Sequence, residues 1–236
     1  MTVSSSTPDL DSLPPAMALQ TVVLLLTAVI IGAVAGAVAL PQWAPALSDT
    51  LLGSAPKAYW YLSRASAIVA FVLLWMSIML GLTLTNRTAR IWPGGPVVFD
   101  LHQHASLLAL IVAFFHGLIL MGDRYIAFTL TTVLTPFSSA DYRPFWVGLG
   151  QIGFYLLGIV GLSFYVRRWM GARLWRVVHY LSFGVFILAL LHGIVSGTDT
   201  STPAVAAMYW IAAGSVVFLT LHRVLVTGGQ PARARS

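Results

Sequence analysis

The sequence predicts an all-α fold, a bundle of six transmembrane helices with both termini cytoplasmic, on three observations. Of 236 residues, 58% are hydrophobic and only 8% charged, with a mean hydropathy of +0.85, the balance of an integral membrane protein rather than a soluble domain. Six apolar stretches are each long enough to cross about 30 Å of hydrocarbon. Lysine and arginine divide unevenly between the connections: Arg87, Arg90, Arg167, Arg168, Arg173, Arg176, Arg223, Arg233 and Arg235 fall on one side, nine in all, against Lys57, Arg64, Arg124 and Arg143 on the other. The positive-inside rule sets the nine, and with them both termini, in the cytoplasm.

Residues 1–16 form a polar tail without lysine or arginine, and the first span, about Ala18 to Leu40, is too long for a signal-peptide core and reads as a retained helix ending at Pro41. Its Gly32 and Gly36 have the small-xxx-small spacing of close helix contacts. A short loop with Pro45, Asp49 and Pro56 leads to the second span, about Ala58 to Leu82, opened by AYWYLSRAS, whose Tyr59, Trp60 and Tyr61 suit an interfacial belt. The Gly/Pro-rich turn TNRTARIWPGGP precedes the third span, about Phe99 to Met121. In the long connection that follows, the apolar piece Ile126 to Leu134 is too short to cross and is expected at the interface or capping the bundle. The fourth span, about Phe145 to Val166, carries Gly150, Gly153, Gly158 and Gly161, small residues suited to packing; the fifth runs from about Leu174 to Val195 and the sixth from about Ala204 to Val226. Residues 17–227 thus form one six-helix membrane domain, and 228–236 a short cytoplasmic tail. The cell membrane is the expected location.

Composition excludes several chemistries. There is no cysteine, hence no disulfide, thiolate metal site or cysteine-ligated iron–sulfur cluster. The net charge of +6 comes from arginines in short loops between spans, which is topology and not nucleic-acid binding. No Gly-rich dinucleotide fingerprint appears in a strand-turn-helix context. Asp100, Asp123 and Asp199 fall at span ends and are expected to be solvated carboxylates.

Histidine is left to carry any metal. His102 and His116 lie 14 residues apart in the third span, His179 and His192 lie 13 apart in the fifth, so each pair spans roughly 20 Å along its helix. Odd-numbered spans run in the same direction. His102 therefore meets His179 on the cytoplasmic level and His116 meets His192 on the outer one. Two sites with two imidazoles each suit bis-histidine haems, because zinc or copper needs more ligands converging within a few ångströms. Phe114, Phe115, Phe183 and Phe186 are placed to line the gap for a macrocycle. Thirteen residues leave a helix about 140° from its starting face, so a π-bulge near Gly184 is expected between His179 and His192. His104, two residues from His102, reads as an interfacial or propionate contact rather than a ligand, and His222 as interfacial. Arg64 is either a snorkelling arginine or, the preferred reading, a partner for a haem propionate or a reduced oxyanion. Arg176, three residues before His179, has two equal readings: a partner for an inner propionate or a positive-inside charge. Gln151 reads as a helix–helix hydrogen bond rather than a quinone ligand.

The four histidines at these spacings, the SRAS near the start of the second span and the WRxxH opening of the fifth resemble the ferric reductase-like transmembrane domain over roughly Tyr59 to Val226. That family includes NADPH oxidases, ferric-chelate reductases and the haem subunit of a bacterial methionine sulfoxide reductase system. The resemblance implies two haems b, the inner on His102 and His179 and the outer on His116 and His192, with Arg64 beside the outer one. It implies an oxidoreductase component passing single electrons across the membrane to a ferric chelate, dioxygen, a quinone or a redox protein. Flavin-dependent members carry an FAD and NAD(P)H module after the sixth span; no such stretch is seen in this chain, so a separate flavoprotein or quinol is the expected donor. The arginine-rich face of Arg167, Arg168, Arg173 and Arg176 is a candidate for its docking.

Two rivals accompany this reading. The first is a haem-binding subunit that feeds a periplasmic reductase of the methionine sulfoxide type. The second is a haem-free membrane scaffold or transporter whose histidines pack or relay protons.

Overall fold

The computed structural model describes residues 14–43, 57–86, 88, 94–123, 127–140 and 142–228. Residues 1–13, the loop with Pro45, Asp49 and Pro56, Arg87, Arg90, Arg124, Arg233 and Arg235 lie outside the described residues. Helix α1 (Leu19–Val34) is followed by α2 (Lys57–Thr85), α3 (Gly95–Ile119, prolonged by a 3-10 turn Leu120–Gly122), the short α4 (Leu130–Leu134), α5 (Pro144–Met170), α6 (Ala172–Ser196) and α7 (Pro203–Gly228). The described residues contain no strand. Five helices, α2, α3, α5, α6 and α7, are long and apolar enough to cross a membrane, and α1 is a shorter apolar one. Many of their large apolar side chains face outward, among them Leu24, Ile187, Trp210 and Leu225. Outward apolar faces of this kind belong to helices solvated by lipid.

The expected stop at Pro41 is corrected. The helix passes from α1 through a π-helical turn, Ala35–Ala39, into a last turn Leu40–Trp43 that contains the proline. The bonding register of the backbone is shifted within the π turn. The Tyr59 hydroxyl donates to the Gly36 carbonyl of the same turn. Tyr59 is buried between that turn and Gly122, and so is not an interfacial anchor.

Helices α2 and α3 run antiparallel along their length, as do α5 and α6, and α7 closes on α2 through Trp75 Nε1 donating to Ser215 Oγ at 2.9 Å. Two apolar clusters hold the bundle. Phe71 stacks on Phe186 with ring centres 5.9 Å apart and meets Tyr209 edge-on at 5.0 Å, tying α2, α6 and α7 together. The other cluster, Leu74, Ala109, Leu110, Leu157 and Val185, draws one or two residues from each of α2, α3, α5 and α6. It lies midway between His102 and His116 and between His179 and His192, an apolar plug that separates the two histidine levels.

Candidate functional site, two facing histidine pairs

The bundle brings the four histidines together as two pairs. The ring centres of His102 and His179 are 5.9 Å apart, those of His116 and His192 6.4 Å apart, with ring planes at 72° and 71°. Because 102 meets 179 and 116 meets 192, α3 and α6 run parallel. The π-bulge expected in α6 is absent: Ala172–Ser196 is α-helical throughout. Instead His179 and His192 leave the helix about 70° to either side of their mean direction, and each ring still reaches its α3 partner.

Neighbouring backbone fixes three of the rings. His116 Nδ1 lies 2.8 Å from the Ser63 carbonyl oxygen, His102 Nδ1 2.8 Å from that of Ser77, and His192 Nδ1 2.9 Å from that of Trp146. A carbonyl only accepts, so in each ring Nδ1 carries the hydrogen and Nε2 keeps the lone pair. Metal-bound histidines are held this way, the second ring nitrogen donating to a carbonyl or carboxylate. Ser63 and Ser77 are 14 residues apart on α2, matching the interval between His102 and His116 on α3. Their hydroxyls also approach the rings, Ser63 Oγ at 2.9 Å from His116 Nδ1 and Ser77 Oγ at 3.1 Å from His102 Nδ1. Ser77 Oγ continues to Ser106 Oγ at 2.6 Å, and Ser106 donates to the His102 carbonyl at 2.7 Å. His179 has no such anchor among the described residues. Its ring lies on Trp175, centres 5.2 Å apart and planes at 27°. The Trp175 Nε1 beside it is buried without a partner.

A cavity of about 260 Å³ opens at the His116 and His192 level. Its deep wall is apolar, with Phe71, Leu74, Phe154 and Val185, and its rim carries Arg64, Tyr142 and Asp199. Arg64 and Asp199 form an ion pair, with Arg64 Nε donating to Asp199 Oδ2 at 2.6 Å, and the guanidinium lies 4.1 Å from the centre of the Trp60 ring. Asp199 is therefore not the solvated carboxylate expected from its place at a span end, and Asp123 is buried. Phe114 lines the cavity and stacks on Phe154 at 5.4 Å. Phe183 and Phe186, expected beside it, pack into the Phe71 cluster, and Phe115 packs against Tyr59 and Ile119, because neighbouring helices cover their faces. Helix α4 covers one flank: Gln151 Nε2 donates to the Thr132 and Val133 carbonyls at 2.7 and 2.8 Å, and Tyr155 donates to that of Leu134. Arg176 is exposed, one turn before His179 on α6, and His104 donates to the Asp100 carbonyl of its own helix at 2.8 Å. His222 is exposed near the end of α7.

The donor set limits what could be held. No group of three or more His, Cys, Asp or Glu side chains converges among the described residues, so a zinc-type site with three or four protein ligands is not assembled there. A metal that brings its own equatorial donors needs two axial ligands. One ion between two imidazoles, with metal–nitrogen bonds of about 2.1 Å and about 1.1 Å more to each ring centre, spaces the centres by roughly 6.4 Å. The His116–His192 spacing equals that value and the His102–His179 spacing is 0.5 Å shorter; the amphipathic cavity at the His116 level suits a flat apolar group with anionic edges. The residues present fit haem.

Sequence reasoning missed Ser63, Ser77, Trp146 and Asp199. The interval shared by the serines and the α3 histidines was the available signal for two of them. No family model, curated protein or solved structure matches the chain.

Proposed function

We propose that this chain is a transmembrane b-type cytochrome of the ferric reductase-like kind, passing single electrons through two bis-histidine haems. His102 and His179 hold the haem on the cytoplasmic level, His116 and His192 the one on the outer level. The observation that carries the reading is the pair of facing imidazoles at each level, 5.9 and 6.4 Å apart, with three of the four Nδ1 atoms committed to backbone carbonyls. Held by two imidazoles, each haem would supply outer-sphere electron transfer rather than direct binding of a substrate.

The chain's own residues do the rest. The plug of Leu74, Ala109, Leu110, Leu157 and Val185 keeps water and ions from the line between the levels. Arg64 at the cavity rim would pair with a haem carboxylate, its charge shared with Asp199. Arg176 offers the equivalent charge at the other level. The segment Leu19–Trp43, 16, 5 and 4 residues in succession, measures about 37 Å and serves as the sixth span, which puts both termini in the cytoplasm of a cell-membrane protein. The electron donor is a separate flavoprotein or a quinol, and the acceptor a ferric chelate, dioxygen, a quinone or a redox protein.

The test is a reduced-minus-oxidised visible spectrum of the purified chain with haem counted per chain. Two b-type haems are expected. A colourless protein from cells supplied with haem overturns the reading and leaves a scaffold or transporter.

A further inference from the structure

The three carbonyls that receive histidines have something else in common: four residues further along each helix stands a glycine or an alanine. Ser63 is followed by Ala67, Ser77 by Gly81 and Trp146 by Gly150. In an α-helix the carbonyl of residue i bonds the N–H of residue i+4, and the Cβ of residue i+4, tilted towards the N-terminus, overhangs that carbonyl. A donor as broad as an imidazole ring comes up to such a carbonyl more closely where the overhang is small; the Ser63 carbonyl also accepts from Ser66 Oγ at 2.9 Å, a slim hydroxyl of its own helix. A Cβ placed on Gly150 would lie 2.5 Å from His192 Nδ1 and 2.7 Å from its Cγ, and one on Gly81 would lie 3.3 Å from His102 Cε1. Ala67 lines the cavity with Ser63 and His116. The other glycines of α5 meet no histidine: Gly148 faces Phe137, Gly153 faces Leu188, Gly158 faces Leu110, and Gly161 has open space.

We infer that Ser63–Ala67, Ser77–Gly81 and Trp146–Gly150 are imidazole seats, each a backbone carbonyl left uncovered by a small residue one turn on. They position His116, His102 and His192 with Nδ1 protonated and Nε2 free to ligate. The working atom is the carbonyl, not the serine hydroxyl. His179 has no seat, and Trp175 positions it instead. The inference rests on the haem reading and assigns positioning residues to it.

The experiment uses the full chain purified with its haem, counts haem per chain and titrates the midpoint potential of each level. Gly150→Ala is expected to lose the His116-level haem and keep the other. Alanine is the better helix former, so such a loss does not come from helix propensity. Ala67→Leu, which covers the Ser63 carbonyl, is expected to lose the same haem. Gly81→Ala, with its milder crowding, is expected to keep both haems and shift the potential of the His102 level alone. Ser63→Ala and Ser77→Ala keep their carbonyls and are expected to keep both haems. The seats are overturned if Gly150→Ala and Ala67→Leu keep both haems at unchanged potentials. Loss of both levels in both variants overturns them too, by making these residues general packing. So does loss of the His116-level haem in Ser63→Ala, which would move the role to the hydroxyl. A wild-type chain with two haems and unaffected Gly150→Ala and Ala67→Leu variants refutes the seats alone, whereas a wild type without haem refutes the haem reading and the seats together.

Discussion

At the His116 level both rings dock on carbonyls of the flanking helices, Ser63 on α2 and Trp146 on α5, whereas at the His102 level only His102 does so, on Ser77. His179 leans on Trp175, one turn back along its own helix. The two pairs have the same chemistry and nearly the same ring spacing, yet they are held differently. A bond to another helix fixes a ring relative to the bundle; a stack within one helix fixes it only relative to that helix. Movement of α6 against its neighbours therefore carries His179 along, while His192 resists it. The level with the single cross-helix anchor is the adjustable one.

The largest effect that could break this comparison comes from the histidines. His192→Ala and His179→Ala are each expected to lower the haem count from two to one, leaving different levels, which visible spectra with redox titration distinguish; either variant emptying both levels would make the pairs one cooperative unit. Next is the plug. Leu110, 3% exposed, lies between the levels, and Leu110→Ala is expected to cost about 2–5 kcal/mol through the cavity it leaves, measured by unfolding in detergent. That loss should loosen both haems equally. Trp175→Ala removes a stack worth about 0.5–1.5 kcal/mol and is expected to speed haem loss from the His102 level by roughly threefold to tenfold. Trp175→Phe should restore the wild-type rate, and an equal effect at the His116 level would contradict the distinction. The smallest change belongs to Asp199→Asn. Its ion pair with Arg64 is partly exposed, 22% and 25% for the two side chains, so about 1 kcal/mol or less is expected, read as a small fall in thermal stability at low salt confined to the His116 level.

Much of this arrangement was legible in the sequence. The long apolar stretches marked five of the helices within a few residues of their ends, because a run that must cross hydrocarbon leaves no choice of period. The histidine intervals gave the pairing, since 14 and 13 residues along parallel helices bring equal depths together. The details of the rings were hidden for physical reasons. A carbonyl exists at every residue, so little in the letters marks these acceptors beyond the interval that Ser63 and Ser77 share with the α3 histidines and the small residue four places on from each. Arg64 and Asp199 are 135 positions apart, and only the closed bundle joins them. A π turn was expected in α6 to correct a facing angle, but among the described residues the chain has one at Ala35–Ala39 instead. In α6 the side chains absorb the angle without any break in the helix.

The equal intervals on α2 and α3 have a consequence for how this chain can change length. One residue inserted between Ser63 and Ser77 would turn everything beyond it by about 100° and carry one serine carbonyl away from its ring, while the same insertion between His102 and His116 would do so from the other side. Stretches 64–76 and 103–115 are thus commensurate, like two rulers laid edge to edge in opposite directions. Insertions and deletions have room in the connections, where a longer loop shifts no ring. Within those two stretches, length is a stricter property than residue identity, and a diverging copy of this protein could replace most of their side chains before it could add or drop one residue.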